Sequence, residues 1–287
     1  MSRLRVSSYP ALVAARAKWD RGVKDLDRLE ERIRQVNKGN PYRVEVQFDR
    51  QTGWHSAYVR IVEQPPPDLS VLVGEAAYQF LSALNVIVWE LAERKIGRHK
   101  INQGRIANYV SFPITKRPKD FKSLLLVSQS LVSKKAITRL DGVQAYRGPD
   151  PQRFPLLYLK PLADLDKHRV IAGALGGLNF QGVRFAWDEA VARNPTVEQL
   201  LKGTNFVHEG TPLARIRFEV GNAEVKVDVN RQPPAGIAFT DGRATYTPDM
   251  LRAIAGATRW VITDLTPLFP GEDNPWGPPF PRPDSTP

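Results

Sequence analysis

The chain has 287 residues, of which 42% are hydrophobic and 25% are charged, with 41 lysines and arginines against 30 aspartates and glutamates. This composition is ordinary for a globular protein that buries a sizeable core. The chain contains no cysteine, which excludes disulfides, thiolate nucleophiles and cysteine-ligated zinc sites.

The sequence shows no clear targeting or membrane signal. Two arginines occur within residues 1–5, but no apolar stretch follows them, so no secretory signal is predicted. The longest apolar run, residues 83–92, is interrupted by Asn85 and Glu90 and is too short to cross a bilayer. We therefore expect a soluble, cytoplasmic protein without a membrane partner.

Residues 9–38 are predicted to form one long amphipathic helix. Leu12, Trp19, Leu26 and Ile33 recur at intervals of seven residues, a spacing that suits packing against another helix. Packing within the chain is the favoured interpretation, and a homodimer through residues 9–38 is the alternative.

A hairpin and a second long helix follow. Residues 42–48 alternate apolar and polar side chains, residues 49–53 carry turn residues, and residues 54–62 form the return strand. Residues 68–97 are apolar on more than one face, which predicts a central, mostly buried helix. A polar stripe along this helix includes Asn85, and we expect it to hydrogen-bond to a neighbouring element or to reach water rather than to line a catalytic groove.

The second half of the chain mixes helices and strands. Its predicted elements are, in order, a helix over 119–139, short helices over 154–169, a hairpin that pairs 216–220 with 225–229 through the turn Gly221-Asn222, and a helix over 248–266.

The predicted fold class is α+β, with a helical core of about four long helices and two antiparallel β-hairpins. A single domain is predicted over residues 1–269, in which 68–169 form a helical core and 170–269 form a hairpin plus a C-terminal helix. Residues 270–287 are Pro-rich and are predicted to be a mobile tail.

The net charge is concentrated in residues 94–139. This segment has twelve lysines and arginines against a single acid, Asp120, so its charge of +11 equals the formal net charge of the whole chain. Such a one-sided segment either contacts an anionic partner or is neutralised by solvent ions and by acids from elsewhere in the fold. We predict that it binds RNA or single-stranded DNA.

The predicted nucleic-acid-binding residues comprise most bases of this segment and two that follow a later helix. They are Arg94, Arg98, Lys100, Arg105, Lys116, Arg117, Lys119, Lys122, Lys134, Lys135, Lys167 and Arg169. The aromatic residues Tyr109, Phe112 and Phe121 lie among these bases and are predicted to stack on unpaired nucleobases.

Common catalytic motifs are missing from the sequence. There is no phosphate-binding loop and no dinucleotide fingerprint, and no two of the four histidines are spaced as a helical metal pair, so we predict neither a metal nor a cofactor. The densest titratable cluster is residues 164–169, and its bases suit the last turn of a helix. The functional alternative makes His168 a general acid or base, with Asp166 as a second catalytic candidate and Lys167 and Arg169 as anion contacts.

Three segments resemble, in the same order, a widespread bacterial and phage family of uncharacterised function. They are the helix Gly74-Glu75…Phe80-Leu81-Ser82-Ala83-Leu84-Asn85-Val86-Ile87-Val88-Trp89, the loop Phe112-Pro113-Ile114 and the run Leu162…Leu165-Asp166-Lys167-His168-Arg169. The family carries an NLRSALDHLVW-like helix, an FPI loop and a DKHR run. The resemblance covers roughly residues 70–170.

The family helix is in turn similar to the Arg-x4-His pattern of HEPN-type ribonucleases, in which an Arg and a His on paired helices cleave RNA. The resemblance places the Arg at Leu81 and the His at Val86, so both catalytic side chains are lost, and an Asp of the family is Asn85 here. It therefore implies a degenerate HEPN-like module, in which Asp166 and His168 remain as the surviving candidate site.

The leading hypothesis is a non-catalytic nucleic-acid-binding or regulatory protein. The first alternative is an RNA-cleaving or other hydrolase that uses His168. The second is a structural or assembly protein that uses residues 9–38 and the Pro-rich tail as contacts.

Overall fold

The computed structural model describes residues 10–39, 41–102, 106–168, 172–174, 178–201, 204–205, 209–231, 238–240 and 245–277. The α-helices are α1 (Ala11–Lys38), α2 (Asp68–Ile96), α3 (Arg98–Asn102), α4 (Pro118–Ser123), α5 (Leu125–Ser128), α6 (Lys134–Gly142), α7 (Leu159–His168) and α8 (Pro248–Leu265). The strands are β1 (Tyr42–Phe48), β2 (His55–Ile61), β3 (Ala172–Ala174), β4 (Leu178–Ala186), β5 (Arg193–Gln199), β6 (Thr204–Asn205), β7 (Pro212–Val220), β8 (Lys226–Arg231), β9 (Ala238–Thr240) and β10 (Thr245–Tyr246).

The chain divides into two compact units, whereas the sequence analysis predicted one domain over 1–269. Unit 1 comprises residues 1–28, 71–169 and 249–287, and unit 2 comprises residues 29–70 and 170–248. Unit 1 contains α3–α7 and almost all of α8, unit 2 contains the described strands, and α1 and α2 contribute to both. The predicted α+β class is confirmed, because helices and antiparallel strands occupy separate parts of the chain.

The apolar seam of α1 is buried inside the chain. Leu12, Ala15 and Leu26 are each at most 1% exposed. Gly22 lies on the same seam and brings α1 against α2, since a Cβ at this position would lie only 2.7 Å from a ring carbon of Phe80. This part of the seam therefore packs within the chain, as the favoured interpretation expected, and the homodimer through residues 9–38 stays a prediction.

The predicted helix over 119–139 is wrong, because the segment forms α4, α5 and α6 instead. Leu124 has an extended backbone (φ −63°, ψ 135°) that separates α4 from α5. Ser130 has a φ of +51°, which a continuing helix does not allow. Ser133 then caps α6, where its hydroxyl accepts a 3.2 Å hydrogen bond from Ala136 N.

Residues 270–277, the described part of the predicted mobile tail, pack on unit 1. The carboxylate of Glu272 accepts hydrogen bonds from a backbone N–H in the first turn of α1 (3.0 Å) and from Arg94 Nη2 (2.9 Å). Trp276 meets Trp19 edge-on, with 5.5 Å between the ring centroids. Residues 270–277 therefore make specific contacts with unit 1. The mobility of residues 270–287 stays a prediction, and residues 278–287 lie outside the described part of the chain.

Unit 2 is built on a four-stranded antiparallel sheet of order β1-β2-β7-β5. The predicted hairpin between β1 and β2 is confirmed, with a register that runs from Tyr42 opposite Ile61 to Phe48 opposite His55. Two three-stranded sheets of order β10-β9-β3 and β6-β4-β8 complete the unit. Val183 of β4 packs with buried residues of β2 and β7 in one apolar cluster.

The strands predicted over 216–220 and 225–229 exist, but they do not form a hairpin with each other. Strand β7 pairs with β2 on one side and β5 on the other, so β8 pairs with β4 instead. Gly221 does have a left-handed φ of +75°. A glycine is required at this position because a Cβ would lie 2.0 Å from the carbonyl oxygen of Val191.

Helix α2 is the one helix of the described residues that is long and apolar enough to cross a membrane by length and composition. Half of its most apolar window is buried inside the protein. Phe80, Leu84 and Ile87 on this helix are at most 1% exposed, as in the core helix of a globular protein.

Candidate nucleic-acid interface

The net charge of the chain belongs entirely to unit 1. This unit contains 27 lysines and arginines against 16 aspartates and glutamates, whereas unit 2 contains 14 of each. The basic segment 94–139 lies wholly in unit 1, along the end of α2, α3, α4, α5 and α6. Whether it forms an anion-binding surface depends on which of its bases are already neutralised.

The arginines of the segment that the structure describes are paired with acids of the same unit. Arg94 donates to Glu90 (2.8 Å) and to Glu272 (2.9 Å), and its guanidinium lies 4.9 Å from the ring centroid of Phe269. Burial opposes the charge of Arg94, but its hydrogen bonds to the two glutamates outweigh this effect and raise its pKa. Arg94 therefore links α2 to the C-terminal segment, and its contact with nucleic acid stays a prediction.

Three further arginines follow the same pattern. Arg98 pairs with Glu93 at 2.9 Å, and Arg139 donates to the backbone oxygen of Asp264 at 3.2 Å. Arg117 and Asp120 form a two-fold hydrogen-bonded pair at 2.8 and 3.0 Å. The hydrogen bond from Arg117 is the main reason that the pKa of Asp120 is lowered.

The lysines of the segment are exposed, and none of them forms an ion pair with a residue that the structure describes. We call them the lysine surface: Lys95, Lys100, Lys116, Lys119, Lys122, Lys134 and Lys135. The positive charge of Lys119 also lowers the pKa of Asp120, without a hydrogen bond between the two side chains. The positive charge that remains on this segment is therefore carried by ammonium groups that face solvent.

The position of two of these lysines is unfavourable for the helix that holds them. Lys134 and Lys135 occupy the first turn of α6, directly after its cap. A cation near a helix N-terminus interacts unfavourably with the helix dipole, and each such interaction costs roughly 0.3–1 kcal/mol of helix stability. Helix stability therefore does not account for bases at these positions.

The loop that carries Lys116 is held by hydrogen bonds from both sides. Asn85 Oδ1 on α2 accepts from Phe112 N at 2.8 Å. Gln144 Oε1 accepts from Thr115 N at 3.0 Å and from its hydroxyl at 3.1 Å, and all of these Thr115–Gln144 contacts are buried. Asn85 thus binds a neighbouring element, as predicted for the polar stripe, whereas Gln144 had no signal in the sequence.

Burial changes the predicted set of stacking aromatics. Phe112 and Phe121 are only 5% and 2% exposed, so the prediction that they stack on nucleobases is wrong. Both lie in the core together with other buried apolar residues of the segment, among them Leu126 and Leu140. Tyr109 is 44% exposed and remains available.

Several predicted residues fall outside the described part of the chain. These are Arg105 and Arg169 entirely, and the side chains of Asp166, Lys167 and His168, whose backbone forms the end of α7. In the described residues, no group of three or more histidines, aspartates and glutamates is placed to hold a metal ion.

Comparison with protein-family models, with curated proteins and with solved structures found no match to this chain. The resemblance of residues 70–170 to the bacterial and phage family, and through it to HEPN-type ribonucleases, therefore stays a prediction.

Proposed function

We propose that the protein is a non-catalytic nucleic-acid-binding or regulatory protein that holds single-stranded RNA or DNA on the lysine surface of unit 1. The observation that carries the proposal is the separation of roles between the bases. The described arginines of the segment are neutralised by acids, while seven lysines keep their charge exposed to solvent.

An exposed set of ammonium groups suits phosphates better than base edges. Lysine contacts to the backbone supply affinity that does not depend on sequence, and each contact releases counterions. Tyr109 adds an exposed ring on which one base can stack. Binding is therefore expected to be salt-dependent, with a preference for single strands because their bases are free to stack.

The bacterial or phage origin, the degenerate HEPN-like ancestry and the cytoplasmic location remain parts of this proposal. We favour binding over RNA cleavage because Leu81 and Val86 replace the Arg and His of the resemblance. In addition, Asn85 already binds the backbone of Phe112. The assembly alternative is less favoured, because part of the seam of α1 packs within the chain.

The test is fluorescence anisotropy with a labelled oligouridylate and the matching oligodeoxythymidylate between about 50 and 200 mM salt. The triple variant Lys116→Glu, Lys119→Glu, Lys122→Glu should lose most of the affinity. Removing three contacts should also make the slope of log K against log salt shallower by about 2, at roughly 0.7 per phosphate on single strands.

A triple reversal in unit 2, Lys38→Glu, Arg50→Glu, Lys226→Glu, is the matched control, because these three residues are also exposed and the change in charge is the same. The control should bind nearly as well as the wild type. No binding by the wild type at the lowest salt, or equal losses in the two variants, would refute the proposal. We also expect the RNA to be recovered intact. If the wild type cleaved the RNA and His168→Ala abolished that cleavage, the hydrolase alternative would be favoured instead.

A further inference from the structure

Helices α6 and α8 border an open groove of about 380 Å³ in unit 1. Lys135 and Gly142 of α6 line one side, and Trp260 and Asp264 of α8 line the other. This volume is near the low end for ligand sites, which span roughly 300–1,000 Å³. The groove begins at a residue of the lysine surface, so a strand bound there reaches it directly.

The groove offers an aromatic ring held in a fixed orientation. Phe154, which is 2% exposed, meets the Trp260 ring edge-on, with 6.4 Å between centroids and 86° between planes. A held indole is a platform on which a planar base stacks, and such stacking is worth about 1–3 kcal/mol per base in single-strand binding proteins.

The groove also offers a carboxylate with spare acceptor capacity. The Asp264 side chain is 34% exposed, and Arg139 Nη1 lies 3.5 Å from its Oδ1, at the limit of a hydrogen bond. The same nitrogen lies closer to the backbone oxygen of Asp264, at 3.2 Å. Arg139 thus holds Oδ1 only weakly, and Oδ2 has no hydrogen-bond partner among the described residues, so the carboxylate keeps acceptor capacity in a groove that Lys135 also lines.

A ring, a carboxylate with spare acceptor capacity and an exposed ammonium together define the chemistry of the occupant. It is planar, it presents N–H donors to Asp264, and it carries an anionic group near Lys135. A carboxylate has two acceptor oxygens side by side, so it pairs best with two adjacent donors. Among the nucleobases only guanine presents two, N1–H and the N2 amine, on one edge; adenine, cytosine and uracil alternate donors with acceptors.

We propose that the groove between α6 and α8 binds one unstacked guanine of the single strand held on the lysine surface. Trp260 stacks on the base, Asp264 accepts from its N1–H and N2 amine, and Lys135 contacts an adjoining phosphate. This inference rests on the proposed function, and it adds base preference to binding that is otherwise independent of sequence.

The experiment compares labelled oligouridylates that carry either a central guanosine, a central inosine or uridine throughout. Guanosine should bind about tenfold more tightly than uridine, as expected for one bidentate contact. Inosine lacks the N2 amine, so it should keep only about a threefold preference, because one of the two hydrogen bonds is lost.

Two variants locate the preference in the groove. Asp264→Asn replaces one acceptor by a donor and should reduce the guanosine-to-uridine ratio to near one, whereas Asp273→Asn makes the same charge change at an exposed residue outside the groove and should leave the ratio intact. Gly142→Met should also abolish the preference, because a Cβ at Gly142 meets no atom within 4 Å and the added side chain enters the groove.

Gly256→Met, which also adds a side chain into open space on α8, is the control for the bulk added at Gly142. Tight binding to every oligonucleotide without a guanosine preference would overturn the guanine site and leave the lysine surface standing. A preference that survives both Asp264→Asn and Gly142→Met would overturn it as well. If the wild type bound none of the oligonucleotides, including the one with uridine throughout, the proposed function itself would be refuted.

Discussion

In unit 2, arginines on the sheet lie against glutamates of neighbouring segments, whereas in unit 1 the lysines of the helical segments contact solvent. Arg60 of β2 pairs with Glu45 of β1 at 2.8 Å and also with Glu209. Arg215 of β7 donates to Glu198 of β5 at 2.7 Å. Arg215 lies directly opposite Glu198, and Arg60 lies diagonal to Glu45 because it is opposite Arg43. Both positions are within reach of long side chains on adjacent strands.

Arginine and lysine therefore serve different purposes in this molecule. Arginine presents a planar fork that matches carboxylates and stacks on rings, as Arg215 does 4.3 Å from the centroid of Trp54. Lysine is a flexible, strongly hydrated point charge. Unit 2 has equal numbers of acids and bases, whereas unit 1 has eleven more bases than acids, and this excess is what the proposed binding of an anion would use.

The largest effect on stability is expected at the close backbone approach in unit 2. Gly221→Ala adds the strain of a left-handed φ, about 1–2 kcal/mol, to a clash with a backbone carbonyl that cannot rotate away. We expect a loss of about 3 kcal/mol or more in urea unfolding followed by circular dichroism. Gly53→Ala is the matched control, because Gly53 has nearly the same φ (+72°) but open space around its Cβ, and it should cost only the strain. Equal losses would show that the contact with Val191 is unimportant.

A smaller effect separates structural from solvent-facing bases. Arg60→Glu brings a third carboxylate between Glu45 and Glu209, so it should lower the urea midpoint clearly. Lys134→Glu makes the same charge change in the first turn of α6, where an acid interacts favourably with the helix dipole. It should preserve stability or raise it by up to about 1 kcal/mol. Parallel losses in both variants would remove the distinction between the two units.

The smallest effect is expected in acid. The pKa of Glu45 is lowered chiefly by its hydrogen bond from Arg60, and that of Glu209 by the N–H of Ile61 and then by Arg60. A carboxylate whose pKa is lower in the folded state stabilises the fold above its unfolded pKa, and this contribution is lost as the pH falls through the folded pKa. Stability should therefore fall below about pH 4.5. The stability of the Glu45→Gln variant, measured by urea titrations between pH 7 and 3, should fall less steeply than that of the wild type. An identical slope would contradict this account.

The features that depend on neighbouring residues along the chain could be predicted before the structure was known. Heptad spacing predicted α1, continuous apolar character predicted α2, and alternation predicted the β1–β2 hairpin, because these periodicities are set by local backbone geometry. Counting charges likewise located the basic segment 94–139. The prediction of one helix over 119–139 failed because Leu124 and Ser130 adopt non-helical backbone angles and the Ser133 hydroxyl caps a new helix. Periodicity does not reveal such local breaks.

The neutralisation of these bases and the pairing of the strands depend instead on contacts between distant segments. Arg94 is paired by Glu272, 178 residues away, and the loop at Phe112 is fixed by Asn85 from another helix. Strand β7 takes β2 and β5 as neighbours, so β8 cannot follow the short turn back onto it. The groove between α6 and α8 likewise joins side chains from distant segments. Such contacts depend on how elements pack in space, and no local pattern of residue types specifies that packing.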